Sequence, residues 1–364
     1  MTRISHDGGQ VWIPACDTAD FLRVGVAAAL VAAVRDEPER GQAPRLRRGR
    51  DGTRFALALA IAALALLQAS AAAAAVSRVA VVLSSRIGPF EEAGRAVEEH
   101  LKRRIVQPEI LVFDLEGNAE NGGRVFAQVR AAVPSLIMPV GTLATEVVLS
   151  WDLPIPVVFS MVLYPQQSGF LARPGHEVTG SSLDIPVETQ FRMLRRLVPT
   201  ARRIGVLYNR QETGAIVEAA QAVAARLGLQ LEPQQVERPE NALGAMEALV
   251  KNVDAMWSIA DSHVFTPETT AALILATLRA RLPLFGLSAA QVRSGALAAL
   301  SCDYAANGEQ AAELALRVLS GERASTIAPA VPAKVALSLN LRTARHLGLP
   351  IDSDIEREGT VVVR

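Results

Sequence analysis

Two adjoining stretches decide how this chain folds: Glu177-Val-Thr-Gly-Ser-Ser-Leu-Asp-Ile-Pro186 and Leu194-Arg-Arg-Leu-Val-Pro-Thr-Ala-Arg-Arg-Ile-Gly-Val-Leu-Tyr-Asn209. A helix must end at Pro199, because proline cannot continue it. Arg202-Arg203 then lead into Ile204 to Tyr208, a short unbroken apolar run that closes on Asn209. An apolar run of that length with no alternation is a strand buried on both faces, the signature of a parallel sheet with helices above and below. In open α/β sheets ligands bind at the carboxyl edge of the strands, where such terminal polar residues are delivered.

The same reading extends outward. From Arg78 the sequence alternates strand and helix: strands over 79–83, 110–113, 136–140 and 156–159, with helices over 90–104 and 121–132 and one opened by Gly141-Thr142. After Thr179-Gly180 the pattern restarts, with strands over 204–208, 229–236, 255–259, 284–287 and 296–300. Helices are expected over 188–197, 215–227, 241–250, 267–281 and 308–319, then a strand over 335–339 and a helix over 341–347 stopped by Gly348. The expected class is α/β, with two Rossmann-like lobes built on parallel sheets and joined by a hinge. No Ser/Gly-rich linker separates the two sets, so short crossings near 175–182 and 303–309 are the expected hinge. The expected boundaries are 78–180 plus 304–326 for one lobe and 181–303 plus 327–364 for the other.

Composition narrows the function. The 364 residues are half hydrophobic, enough for two cores of ordinary size. Formal net charge is zero and aromatics make up 4%, which argues against a nucleic-acid partner. The basic residues include only the lysines Lys102, Lys251 and Lys334. The two cysteines, Cys16 and Cys302, form no CxxC or His/Cys cluster, so no metal site is expected and Cys302 reads as a small buried residue on a strand.

Residues 40–54 carry Arg40, Arg45, Arg47, Arg48, Arg50 and Arg54 against Asp51 alone. Phe55 to Leu67 is an apolar run, followed by Ala69-Ser70-Ala71 and a poly-Ala tract ending at Ala75. A basic flank, a short apolar core and a small-residue cleavage site make a secretory leader over 55–76. A membrane anchor is the alternative, since the run to Val76 is just long enough to span a bilayer. Residues 1–54 read as an extension ahead of that leader, consistent with a start codon placed too early.

The strand ends supply the candidate ligand-binding residues. Ser84-Ser85 and Gly141-Thr142 open helices, where backbone N–H groups and hydroxyls suit a carboxylate; capping of those helices is the competing role. Asp261 ends a buried strand and suits an ammonium group. Tyr208-Asn209 and Ser288 end neighbouring strands, Ser160 and Met161 end the fourth, and Asp303 closes one at an expected crossover. His263, beside Asp261, reads as a surface hydrogen bonder. Trp257 reads as core and Trp151 as a loop residue. No catalytic residue and no cofactor are expected: the chain has no GxSxG, HExxH, GxxxxGK[ST] or, after the first strand, GxGxxG.

Taken together, Pro154-Ile-Pro-Val-Val-Phe, Val178-Thr-Gly-Ser-Ser, Leu197-Val-Pro-Thr-Ala-Arg-Arg-Ile-Gly-Val-Leu-Tyr-Asn, Asp261-Ser, Leu282-Pro-Leu-Phe, Gly295-Ala-Leu-Ala-Ala, Asp303-Tyr and Leu339-Asn-Leu-Arg-Thr-Ala resemble the solute-binding component of ABC importers. The likeness covers about 78–352 and is to the subfamily of periplasmic binding proteins serving aromatic or other small amino acids. It implies the type 1 periplasmic binding protein architecture, an interlobe ligand cleft and an inner-membrane permease as partner; a monomer is expected. Two departures stand out. Tyr164-Pro165 replaces an Asp-Pro pair, putting a neutral phenol where an acid is usual and adding Tyr164 to the candidate site. Glu212-Thr213-Gly214 replaces an Asn-Ser. A sensing module partnered with a membrane receptor kinase, or less favourably an α/β enzyme, is the alternative function.

Overall fold

The computed structural model describes residues 78–364, so the expected extension and leader lie outside the described residues. The described residues lie in one compact unit built from two sheets. The first is β1 (Arg78–Leu83), β2 (Glu109–Asp114), β3 (Leu136–Val140), β4 (Val157–Val162) and β5 (Val178–Ser182), all parallel in the order β2-β1-β3-β4-β5. The second contains β6 (Arg203–Tyr208), β7 (Gln230–Gln235), β8 (Ala255–Trp257), β9 (Leu284–Gly286) and β10 (Ala298–Cys302) in the order β7-β6-β8-β9-β10. The same doubly wound order thus occurs twice. Two further strands, β11 (Val335–Asn340) and β12 (Gly359–Val363), extend the second sheet, and β11 runs antiparallel to β10.

The apolar runs explain the layers. In β1, Val79 to Val82 are fully buried and their side chains alternate between two cores, Val79 and Val81 to one face, Ala80 and Val82 to the other. Helices α1 (Gly88–Arg104), α2 (Gly122–Ala132) and α3 (Thr142–Leu149) cover this sheet. α1 has Pro89 and Glu91 in its first turn and Lys102, Arg103 and Arg104 in its last, the arrangement that complements the helix dipole. The second sheet is covered by α4 (Val187–Leu197), α5 (Arg210–Arg226), α6 (Ala242–Leu249), α7 (Pro267–Arg279), the short α8 (Ala289–Arg293), α10 (Leu341–Leu347) and α11 (Ser353–Glu358). Between α8 and α10 in the chain, α9 (Tyr304–Leu319) returns to the first lobe and packs against α1. Gly308 is where they touch, since a Cβ there would run into the backbone carbonyl of Ala93.

The structure departs from the sequence-based expectation in three places. Val178–Ser182 is the fifth strand of the first sheet and not a hinge; the crossing follows it, at 183–186. α5 begins at Arg210, because Asn209 accepts from the amides of Gln211 and Glu212 and so caps a helix expected to start later. α9 likewise begins at Tyr304 on an Asp303 cap. α11 and β12 had no expectation at all. A second crossing lies at Asp303 and a third over 327–334, where Ala330 pairs with β5 on its way to β11. Asp303 N–H donates to Lys334 O at 3.3 Å, which joins the second crossing to the third. Among the described residues no helix is long and apolar enough to cross a membrane.

Candidate functional site

A cavity of about 360 Å³ opens between the two lobes, beside the crossings. That is the lower part of the range for small-molecule sites. Leu163 and Tyr164 come to it from the loop after β4, Leu183, Asp184 and Ile185 from the first crossing. The second lobe contributes Trp257, Ser258 and Ile259 at the end of β8, Ile216 from α5, and Leu287 and Leu300. Cys302 and Tyr304 flank the second crossing.

Asp184 is the carboxylate of this cavity. Both its oxygens accept from the backbone N–H of Tyr164, at 2.9 and 3.2 Å. Burial pushes its pKa up to about 6, with the Tyr164 amide and Ser182 hydroxyl pulling the other way. Among the described residues no lysine or arginine lines the cavity. An acid that is half-buried, with its charge unmatched by a cation, favours a cationic group on any occupant.

The loop carrying Tyr164 is strained. The β4–β5 register shifts between Ser160 and Val162, and Met161 takes φ 60°. Tyr164 takes φ 53°. Left-handed backbone is costly for such side chains and persists only where neighbours impose it. Asn307, fully buried on α9, is that neighbour: its Oδ1 accepts from Ser160 Oγ (2.9 Å) and Met161 N (3.0 Å), and its Nδ2 donates to Ser182 O (2.7 Å). One amide therefore fixes the bulge, the end of β5 and the start of the first crossing. The Tyr164 ring then packs on the core of the second lobe. Burial raises its phenol pKa well above the ordinary value, and the charges of Asp184, Asp261 and Glu212 raise it further, so the hydroxyl stays protonated.

Trp257 forms the floor. Its ring meets Phe191 edge-on with centroids 5.0 Å apart, and its Nε1 donates to Gln190 Oε1 at 2.8 Å. Gln190 is itself oriented by donating from Nε2 to Ile185 O at 2.8 Å. Next to it, the hydroxyl of Ser258 is 1% exposed and has no hydrogen-bond partner. The thiol of Cys302 is half-buried and burial raises its pKa to about 11, so it is neutral. It sits at the cavity wall, a more open position than the buried one expected.

Of the ligand-binding candidates read from the sequence, Tyr164 lines this cavity, as do Trp257 and Cys302, which were read as core; the other candidates lie elsewhere, mostly at the edges of the two sheets. Ser84 Oγ donates to Val140 O at 2.9 Å and accepts from Ala144 N at 3.0 Å, tying β1 and β3 to the start of α3. Gly141 takes φ 98° against Ser84, and Thr142 is exposed on the first turn, with Ser85 half-exposed nearby. Ser160 is buried on Asn307, and Met161 lies in the first lobe's core. Asn209, Ser288 and Asp303 are helix caps. Tyr208 packs half-buried on the second core. Trp151 is buried, tilted against Phe126.

Asp261, 2% exposed, does not line the cavity. Its Oδ2 accepts from Asn209 N (2.6 Å) and Thr213 Oγ1 (2.5 Å), and its Oδ1 from His263 N (3.0 Å). It thus stitches the end of β8 to the first turn of α5. Asp261, Glu212 and His263 bring ligand-type atoms within 4.8 Å of one another. Each carboxylate is already committed, however. Glu212 accepts from Ser262 N, Ser262 Oγ and His263 Nδ1, which hold its carboxyl below the ordinary range although burial works against this. The cluster reads as a hydrogen-bonded staple.

Sequence reasoning passed over Asp184, Ser258, Gln190 and Asn307. Asp184 had a signal, an acid two residues before proline between a strand and a helix. The other three acquire their roles from residues far away in the chain.

These features sit in a chain with many structural relatives. The model of the family described as ABC transporter substrate binding protein matches residues 95–363. The tyrosine-binding protein of Clostridioides difficile (strain R20291) is 23% identical over 219 residues, 59% of this chain and 63% of that protein, so less than two thirds of the relative's length is spanned. A ligand-free, open structure of a Clostridium difficile substrate binding protein with adhesive properties aligns over 79% of this chain and 99% of that one, at 19% identity and TM-score 0.67. The ABC domain from Streptococcus pneumonia, in complex with L-Trp, aligns over 79% and 100% at 21% identity and TM-score 0.59. Two doubly wound lobes around a cleft, matched over nearly their whole length by that family's model, place this chain in the ABC transporter substrate binding protein family.

Proposed function

We propose that this protein captures a small solute bearing an amino group on an apolar body, an amino acid or a related molecule, and passes it to the permease of an ABC importer. The observation that carries this reading is the Asp184 carboxylate held in a mostly apolar interlobe cavity with no basic side chain among the described residues that line it. An ammonium supplies the missing charge, and Ile216, Ile259, Leu287 and Leu300 shelter the apolar part. A ligand contacting both lobes favours the state in which they approach, by its differential affinity for that state. The tyrosine-binding relative and the L-Trp complex of a similarly folded domain support an amino-bearing ligand. The basic, apolar and poly-Ala pattern of 40–76 supports export and a periplasmic site of action.

A thermal-shift screen of the full chain against amino acids, amines, short peptides, sugars and nucleosides tests the reading. At about a hundred times its dissociation constant, a ligand stabilises by about 2.7 kcal/mol, a rise of several degrees. The expected responders carry a primary amine. Response confined to sugars or nucleosides, or none at all, would overturn the proposal.

A further inference from the structure

The charges around the cavity go beyond that reading and narrow it. We infer that the site selects an amine over the corresponding amino acid: its occupant is a small monocation with an apolar body and no carboxylate. The inference rests on the function proposed above.

Its first support is the sign of the groups at the wall. Among the described residues Asp184 is the only side chain of the lining that is charged at neutral pH, and it is negative. Behind Tyr164 stand Asp261 and Glu212, both close enough to bear on the phenol. The one basic group among them, His263, has its Nδ1 2.9 Å from Glu212 and faces that carboxylate. A carboxylate entering here meets no cation among the described lining residues and the like charge of Asp184. Burying an unpaired ion is among the costliest events in a protein interior, whereas an ammonium is paired on arrival.

The second support is the supply of hydrogen-bonding atoms. Ser258 Oγ is buried at the wall without a partner, an acceptor already desolvated. Asp184 has acceptor capacity beyond its bond to Tyr164 N, since an ionised carboxylate accepts up to about four. Two of the N–H groups at the wall are already engaged. The indole N–H of Trp257 and the amide of Gln190 are spent on Gln190 Oε1 and Ile185 O. The amino end of α4 reaches the rim as Pro186-Val187, but Pro186 has no N–H and Glu188 already sits in that first turn.

Isothermal titration of the full chain at neutral pH decides the matter with two matched series. One is 2-phenylethylamine, L-phenylalanine and 3-phenylpropionate; the other is isoamylamine, L-leucine and 4-methylpentanoate. Each series keeps the apolar body and varies the charged groups. In at least one series the amine should bind at least about tenfold tighter than the amino acid, and the acid should show no heat of binding. Asp184→Asn, which keeps an oxygen for the Tyr164 amide, should lower amine affinity at least about tenfold while still melting cooperatively. If the amino acids bind as well as the amines or better, this inference fails and the proposed function stands. Silence from all six molecules defeats both. Undiminished amine binding by Asp184→Asn overturns the assignment of Asp184.

Discussion

Asp184, half-buried, and Asp261, buried, are two acids that came to opposite ends by their partners. Asp184 has a single backbone donor and a pKa raised to about 6; Asp261 has three donors and no cavity. Because the folded-state value of Asp184 lies above the ordinary value of about 4, the ligand-free protein binds a proton there that the unfolded chain gives up. That contribution to stability is complete below about pH 4 and is lost as pH rises through about 6. Asp184→Asn should therefore raise the stability of the empty protein above pH 6 by about 2 kcal/mol, with little change near pH 4; chemical denaturation at the two pH values reads it. Amine binding should run the other way and weaken below about pH 6, as the carboxylate is neutralised. Asp261→Ala should do neither. It strands the amide of Asn209 and the hydroxyl of Thr213, and should cost about 2 to 3 kcal/mol of stability while leaving ligand affinity unchanged.

At the scale of elements, α9 is the piece on which the cleft is assembled. Asn307 and Gly308 are adjacent on it and face different duties, one gripping the β4 bulge and the crossing, the other admitting the backbone of α1. Gly308→Ala should lower the denaturation midpoint by an amount equal to about 1 to 3 kcal/mol, since neither helix can retreat from a backbone contact without disturbing the core. Asn307→Leu should cost about 2 to 4 kcal/mol, because it leaves the Met161 amide buried and unpaired, and it should weaken ligand binding as the Tyr164 loop relaxes. Neither role was legible along the chain. Strands such as Val79–Leu83 and Ile204–Tyr208 were, because burial on both faces demands continuous apolar sequence. Val178-Thr-Gly-Ser-Ser182 was not: its small residues suit a strand packed between a helix and the third crossing, where Gly180 lies against Phe159, yet read as a hinge crossing. The strand-end polar residues misled for a related reason. Capping a helix and lining a cleft call for the same residue types at the same place, so Asn209, Ser288 and Asp303 could be located from the sequence but their tasks could not.

For the molecule as a whole, two copies of one strand order are joined at three crossings, with the cavity set beside them. Lobes so connected can rotate toward each other over a buried solute with little change inside either. Small-angle scattering should register a smaller radius of gyration at saturating ligand; superimposable curves with and without it would mean that the lobes do not move. The pattern of two lobes was readable from the restart of the strand–helix alternation after Thr179-Gly180, whereas the cavity's contents depend on residues drawn together from both halves. One of these carries a further consequence. Trp257 forms the floor with its indole N–H already engaged, while Trp151 lies within the core of the other lobe and Trp12 outside the described residues. The chain thus contains its own optical reporter: a guest that seats against the Trp257 side of the cavity should change that indole's emission, so occupancy can be followed in real time without any dye or tag.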